Sequence, residues 1–171
     1  LDEMNNLAML KSDEMKLKRQ KIVIQDVLAF ASEGIKEIAS ARDQKLIYAF
    51  SEEPFFVDMD LDKTALAFGN ILNNAIRFSR PGSTITVGVT KHKNQVLAWV
   101  QDQGIGIPVD KLQKIFEEFY QIEPPNTRHY GGLGIGLTIA KGLIEAQGGT
   151  IWADSEGLGS GATLKVMLPL A

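Results

Sequence analysis

The stretch "HYGGLGIGLTIAKGL" (residues 129–143) carries five glycines, four of them directly before what reads as a good helix. A glycine inside a helix costs roughly 0.5–1 kcal/mol relative to alanine. Such a cluster therefore needs a tight turn, or something that approaches the backbone too closely for a Cβ. Two phosphate-binding patterns do not fit. The glycines do not lead into G-K-[ST], and the preceding "PPNTRHY" is a loop where a dinucleotide fingerprint needs a strand. What remains is a glycine-rich loop running into a helix N-terminus. Free N–H groups and the helix dipole favour an anion there, phosphate above all. A merely flexible helix start would give the same pattern.

The chain has 171 residues, 44% hydrophobic and 23% charged, which suits one domain with a proper core. Its net charge of −3 argues against a nucleic-acid partner. The absence of cysteine excludes disulfides and thiolate zinc sites, and fits a reducing compartment. No apolar run approaches the ~18 residues of a membrane span, and no signal peptide is visible. The first residue is Leu1, which suggests a fragment of a longer chain.

Periodicity supplies the elements. Residues 1–20 read as a helix end and a connector, with a thin apolar stripe of Leu1, Met4, Ala8 and Lys11. "KIVI" (21–24) reads as a strand. Residues 25–44 read as one amphipathic helix through Val27, Leu28, Ala31, Ile35 and Ile38. "LIYAF" and "FFVDMD" read as strands around a turn at 51–54. A helix is expected over 61–78, with Asp60 as its N-cap and Pro81 and Gly82 beyond it. Ile85, Val87 and Val89, then Val96, Ala98 and Val100, alternate with other residues, so 84–90 and 96–100 form an antiparallel hairpin joined by "KHKN". Residues 117–130 are irregular around Pro124 and Pro125. A helix over 134–147 ends at Gly148 and Gly149, and two strands close the chain. The expected fold is a two-layer α/β sandwich.

Two segments carry candidate chemistry. With about 100° per residue and Asn70 at zero, Asn74 falls near +40°, Arg77 near −20°, Phe78 near +80° and Asn73 near −60°. Leu61, Ala65, Phe68, Leu72, Ala75 and Ile76 fall roughly between 140° and 240°, forming a core stripe. A solvated face is the plain reading. Yet asparagine is a poor helix former, three within five positions is an odd choice for solubility, and amide oxygens suit Mg²⁺ shared with phosphates. In "VQDQGIGIP", Asp102 ends a strand and Gly104 and Gly106 follow it. The carboxylate is an acceptor for an exocyclic amine such as that of adenine. A simple Asp/Gly turn is the alternative.

The ordered set "NILNNAIRFS", "DQGIGIP", "FEEFYQ", "GGLGIGL" and "GSGATLKVMLP" resembles the N, first glycine, F, second glycine and third glycine boxes of sensor histidine kinases. It covers their catalytic and ATP-binding domain, in the superfamily shared with gyrase, mismatch-repair ATPases and a heat-shock chaperone. The F box points to the kinases. The resemblance spans about residues 18 to 170. It implies a Bergerat-type fold, with a mixed sheet of about five strands on about three helices and a flexible ATP lid over residues 120–133. It also implies that residues 1–17 are the tail of a dimerisation helix and its connector, and that 18–171 are the catalytic domain.

The same resemblance implies ATP and Mg²⁺ as cofactors. Asp102 would accept the adenine amine, with Thr163 helping through water, and Phe78 and Ile107 would pack on the base beside Gly104 and Gly106. Asn74 would ligate Mg²⁺, with Asn70 near metal and phosphates and Arg77 touching the phosphates. Gly132, Leu133, Gly134, Ile135, Gly136 and Leu137 would seat the triphosphate, and Arg128 would reach the γ-phosphate. Asn70, Arg77 and Arg128 are thus the expected catalytic residues.

There are departures. Gln121 and Glu118 stand where arginine is common, and Leu133 where threonine or serine is frequent. Of the two histidines, His92 is followed by Lys93 and His129 by Tyr130. Neither has the acidic neighbour expected of a phosphoacceptor. The resemblance therefore implies a cytoplasmic kinase portion whose partners are a histidine-bearing dimerisation domain of a homodimeric parent and a response regulator. It implies no nucleic-acid partner and no membrane contact by this fragment. The competing reading is a degenerate nucleotide-binding scaffold that signals by shape.

Overall fold

In a computed structural model, residues 2–12, 15–122 and 134–171 are described. The expectations for Arg128, His129, Gly132, Leu133 and most of the lid lie outside these residues. The elements are α1 (Asp2–Lys11), β1 (Arg19–Val23), α2 (Ile24–Glu33), α3 (Lys36–Ala41), β2 (Lys45–Ala49), β3 (Phe56–Asp60) and α4 (Leu61–Phe78). β4 (Thr84–His92), β5 (Gln95–Gln101), α5 (Gly136–Ala146), β6 (Thr150–Asp154) and β7 (Thr163–Pro169) follow. Two short 3₁₀ turns, Val109–Lys111 and Lys114–Phe116, lie between β5 and α5.

A five-stranded mixed sheet runs β2-β4-β5-β7-β6. Only β2 and β4 are parallel within it. The alternation in the sequence becomes its two faces. Val87, Val100, Leu164 and Ala153 lie in register across four strands and are buried beneath the helices. On the other face, Gly88, Trp99, Lys165 and Trp152 form the next row. Trp99 lies over Gly88, where a Cβ would overlap its indole. This is the two-layer sandwich that periodicity implied.

Three expectations are corrected. Residues 25–44 form two helices, broken at Gly34 and Ile35. The break turns the apolar stripe, so Ile38 is exposed and Ala39 is buried in its place. The strands either side of 51–54 enter different sheets: β2 pairs with β4, while β3 pairs antiparallel with β1 in a separate ribbon. The "KHKN" connector shrinks to Lys93 and Asn94, because Lys93 adopts φ +57° and lets His92 pair with Gln95.

α4 has the expected bounds. The Asp60 carboxylate accepts from Lys63 N at 3.0 Å, a cap worth about 0.5–2 kcal/mol. Its neighbour α5 begins at Gly136, two residues later than expected, because Gly134 sits at φ +79°. At its far end Gly148 takes the left-handed φ of +85°. The buried Gln147 joins the two helices: its Oε1 accepts from Asp60 N at 2.7 Å, and its Nε2 donates to Leu143 O and Thr64 Oγ1. The N-terminus of α4 is thereby tied to the C-terminus of α5, and a cleft opens at their other ends.

Candidate functional site

The cleft is walled by α4, the turn after β5, the segment around Ile115 and Tyr120, and the N-terminus of α5. It is an open cleft rather than an enclosed cavity, with about 1010 Å³ of free space when its mouth is included. Asn70, Asn73, Asn74, Arg77 and Phe78 all line it, half-buried, while the opposite stripe of α4 is buried in the core. The geometry of one helix thus separates a core face from a cleft face, as the helical arithmetic required.

The turn after β5 is held from three sides. Gly104 N and Ala162 N donate to the same Asp102 oxygen, Oδ1, at 3.0 and 3.1 Å. Asp102 N donates to Ala162 O at 2.8 Å. The Phe78 carbonyl, at the end of α4, accepts from Ile105 N, and Ser79 bridges to Gly104. A Cβ on Gly104 would overlap that carbonyl, so glycine is needed for close approach. A loop before β7 closes the third side through Gly159 N to Ile105 O at 2.7 Å and Gly161 N to Gly104 O at 3.2 Å. Gly106, at φ +75°, fits beneath the Gly157 carbonyl where a Cβ would not.

Asp102 is 6% exposed and lines the cleft. Burial pushes its carboxyl up to about 6, against the opposing pull of the Gly104 and Ala162 N–H groups. Both donors reach Oδ1, so among the described residues Oδ2 is the acceptor left for a ligand. A proton taken up at Asp102 belongs on Oδ2 for the same reason, and would turn that acceptor into a donor.

At the other end, Asn70 Nδ2 donates to Gly136 O at 3.2 Å. That bond fixes the side-chain amide and reserves Oδ1 as an acceptor. Gly136 opens α5, so the unpaired N–H groups of the helix start face this region. The oxygen donors of Asn70 and Asn74 fit a hard cation shared with phosphates. Among the described residues no cluster of three acidic, histidine or cysteine side chains could hold a metal alone. An amide site completed by a ligand's own oxygens needs no such cluster.

Most of the expected residues meet here. Asn70, Asn74, Arg77, Phe78, Asp102, Gly106, Ile107, Gly134, Gly136 and Leu137 line the cleft, and Gly104 backs it. Two do not reach it. Ile135 is fully buried in the core, and Ala162 stands in the wall where Thr163 was expected. Thr163 instead begins β7, in register with Gln101 and Asp154. Sequence reasoning missed the Ala162 N–H and Ser155. Ser155 Oγ accepts from Ile107 N at 3.0 Å and donates to Gly161 O at 2.7 Å. A backbone donor leaves no mark on residue type, and a lone serine before a glycine-rich loop has no specific pattern.

Residues 59–171 match the family model described as histidine kinase-, DNA gyrase B- and HSP90-like ATPase, and the chain belongs to that family. Among its relatives, the sensor histidine kinase WalK of Bacillus subtilis (strain 168) is 32% identical over 173 residues, covering 99% of this chain and 28% of WalK. The sensor protein kinase WalK of Staphylococcus saprophyticus is 37% identical over 132 residues, 76% of this chain and 22% of that protein. The chain thus spans about a quarter of these relatives' length. Its fold matches full-length ShkA, solved in complex with AMPPNP, with a TM-score of 0.86, 24% identity, and coverage of 99% of this chain and 35% of ShkA. It also matches the mycobacterial sensor histidine kinase MprB, at a TM-score of 0.78 and 24% identity, over 90% of this chain and 98% of MprB. The mixed sheet with its helices is therefore the fold of histidine-kinase catalytic domains. No helix among the described residues is long and apolar enough to cross a membrane.

Proposed function

We propose that this chain binds Mg-ATP and passes the γ-phosphoryl group to a histidine on a separate dimerisation domain, as the cytoplasmic catalytic portion of a two-component sensor kinase. The observation that carries the reading is the pairing of opposite chemistries in one cleft. A carboxylate with one oxygen saturated and one left over stands at one end, and amide oxygens beside a helix N-terminus stand at the other. An adenine amine suits the first and a metal-bound triphosphate the second.

In this reading Asp102 Oδ2 accepts from the adenine amine, and Phe78 and Ile107 supply the apolar walls for the base. Asn74 and Asn70 hold Mg²⁺ through their side-chain oxygens, and Arg77 adds a cation near the phosphates. The metal supplies charge neutralisation on the phosphate oxygens. The N–H groups around Gly134 and Gly136 orient the triphosphate, and Arg128 is proposed to reach its end. In the transfer, the bond from the γ-phosphorus to the bridging oxygen breaks and ADP leaves. A bond to an imidazole nitrogen of the partner forms, with positioning and charge supplying the catalysis. A response regulator would take the phosphoryl group next.

Incubation with γ-labelled Mg-ATP tests this. Alone, the chain should bind nucleotide and gain no stable label, since neither His92 nor His129 has the neighbour of an acceptor. Adding the parent's dimerisation domain as a separate polypeptide should yield acid-labile label on that domain, slowly, because the encounter is no longer tethered. Label on His129 would contradict the division of labour. Absence of transfer at high concentrations of both pieces would favour the scaffold reading, which the replacement of basic residues by Glu118 and Gln121 supports.

A further inference from the structure

Behind the Asp102 end of the cleft lies a buried polar junction. The last carbonyls of a helix have no partner inside it. At the end of α4 they are met from the side by Gln44, which is 5% exposed. Its Nε2 donates to Ile76 O at 2.9 Å, to Ser79 O at 3.2 Å and to Arg80 O at 3.4 Å. Arg42 Nη2 donates to the same Ser79 O at 2.9 Å. The end of α3 puts these two side chains there. Asp43 takes a left-handed φ of +55°, and Gln44 N closes the turn on Ala39 O at 2.9 Å. The backbone is laced across the same gap, through Gly82 N to Arg42 O and Lys45 N to Ser83 O, both at 3.0 Å.

Phe78, the proposed wall for the base, lies between Ile76 and Ser79. The carbonyls on both sides of it converge on one nitrogen. Its own carbonyl accepts from Ile105 N, and Ser79 bridges to Gly104. The angle at which α4 ends is therefore held from behind by Gln44. With it go the setting of the Phe78 ring and of the turn that carries Asp102.

Three acceptors around one amide nitrogen settle the orientation of the carboxamide, so Oε1 turns away from the helix end. Gln44 Oε1, Arg42 Nε and Ser79 Oγ are each buried without a hydrogen-bond partner among the described residues. They are neighbours. Oε1 and Nε are each one carbon away from a nitrogen that touches Ser79 O, and Oγ belongs to Ser79 itself. Their chemistries are complementary: an acceptor, a donor, and a hydroxyl that serves as either. One water that accepts from Nε–H and donates to Oε1 and Oγ satisfies all three, and about three bonds are usual for a buried water.

We propose that Gln44, Arg42, Ser79 and one internal water form a bracket that positions the adenine end, with Gln44 as its positioning residue. The inference rests on the nucleotide reading of the cleft. None of the three side chains lines the cleft, so they act on a ligand only through Phe78 and the turn after β5.

Calorimetric titration with adenosine and with Mg-ATP, well below the melting temperature, tests the bracket. Gln44→Leu keeps the bulk and removes every polar contact. Adenosine and Mg-ATP should lose the same factor, about five- to tenfold, so that the gain from metal and phosphates stays constant. Gln44→Lys returns donors to the three carbonyls but leaves the water without its acceptor, so the loss should shrink to about two- to threefold. In the wild-type chain a long-lived water should exchange magnetisation with the Arg42 Nε proton, and that signal should vanish in Gln44→Leu. If the wild-type chain binds neither ligand, the nucleotide reading falls and the positioning role with it. If it binds Mg-ATP, and Gln44→Leu binds as tightly or loses the gain from metal and phosphates as well, the positioning role alone is overturned. A wild-type Nε proton with no water beside it overturns the bracket too. Should Gln44→Leu fail to fold, Gln44→Lys decides, and an affinity equal to the wild type contradicts the proposal.

Discussion

The two ends of the cleft are built differently. At the Asp102 end, the polar groups are buried and held by backbone hydrogen bonds from three segments: the end of α4, the turn after β5 and the loop before β7. At the Asn70 end, the groups are half-buried side chains and a helix start, joined by the hydrogen bond from Asn70 to Gly136. The first end is preorganised and specific, able to accept one kind of partner. The second is polar and less constrained, with amide oxygens and a helix start that suit a metal or a phosphate. In the proposed reading, the rigid end receives a flat heterocycle and the adaptable end receives the metal and phosphates, whose charge and length vary.

The largest expected effect breaks the rigid end. In Asp102→Asn the amide oxygen must take the place of Oδ1, since two N–H groups point there. The amide nitrogen then offers donors where the adenine amine is also a donor. An unpaired buried group costs ~1–3 kcal/mol, or roughly five- to a hundredfold in affinity, and adenosine and Mg-ATP should lose it equally. The same variant should melt higher at pH 8. The folded-state value of about 6 lies above the ordinary 3.8, so the folded chain holds this proton more tightly than the unfolded one. Asp102 therefore stabilises the fold most below 3.8, and that contribution is lost as pH rises through 6. Removing the buried charge recovers on the order of 1–3 kcal/mol in the nucleotide-free chain. Binding lost together with stability gained is a signature that a misfolded variant would not show.

Asn74→Ala should act on the other end alone. Mg-ATP affinity should fall about tenfold, as expected for a metal-linked oxygen donor, while adenosine affinity stays constant in calorimetry. Equal losses for both ligands, or equal losses with and without Mg²⁺, would count against a metal role. Ser155→Ala should be milder. It leaves Ile107 N–H without its 3.0 Å acceptor and loosens the loop before β7. Adenosine binding should weaken a few-fold, with a small drop in melting temperature.

Much of this contrast was legible in the sequence, for physical reasons that differ by region. The cleft face of α4 follows from helical geometry alone, because an 18-residue helix with a strong core stripe must turn its other side outward. The sheet faces follow from strict alternation in β4 and β5. The break at Gly34 was hidden, since Val27 through Ile38 keep a helical period across it and only tertiary packing decides whether the helix continues. The separation of β2 from β3 was hidden for a similar reason: strand partners are long-range choices, and β2 finds β4 nearly forty residues away. At the site, most of the side chains proposed to bind the ligand were visible in the sequence, and the structure places them in one cleft. The Ala162 N–H and the Ser155 hydroxyl act by completing a backbone network.

The most direct test of the central claim, that Asp102 reads an adenine amine through one free carboxylate oxygen, is the affinity for adenosine between pH 5 and pH 8. Adenosine carries no phosphate, so metal and phosphate titration do not enter. Protonation at Oδ2 would replace the acceptor with a donor, and with a carboxyl near 6 the affinity should be flat at the upper end and about tenfold weaker at pH 5. Asp102→Asn should abolish the slope. An affinity that stays constant down to pH 5 in the folded wild-type chain, or a slope that survives the substitution, would contradict the account.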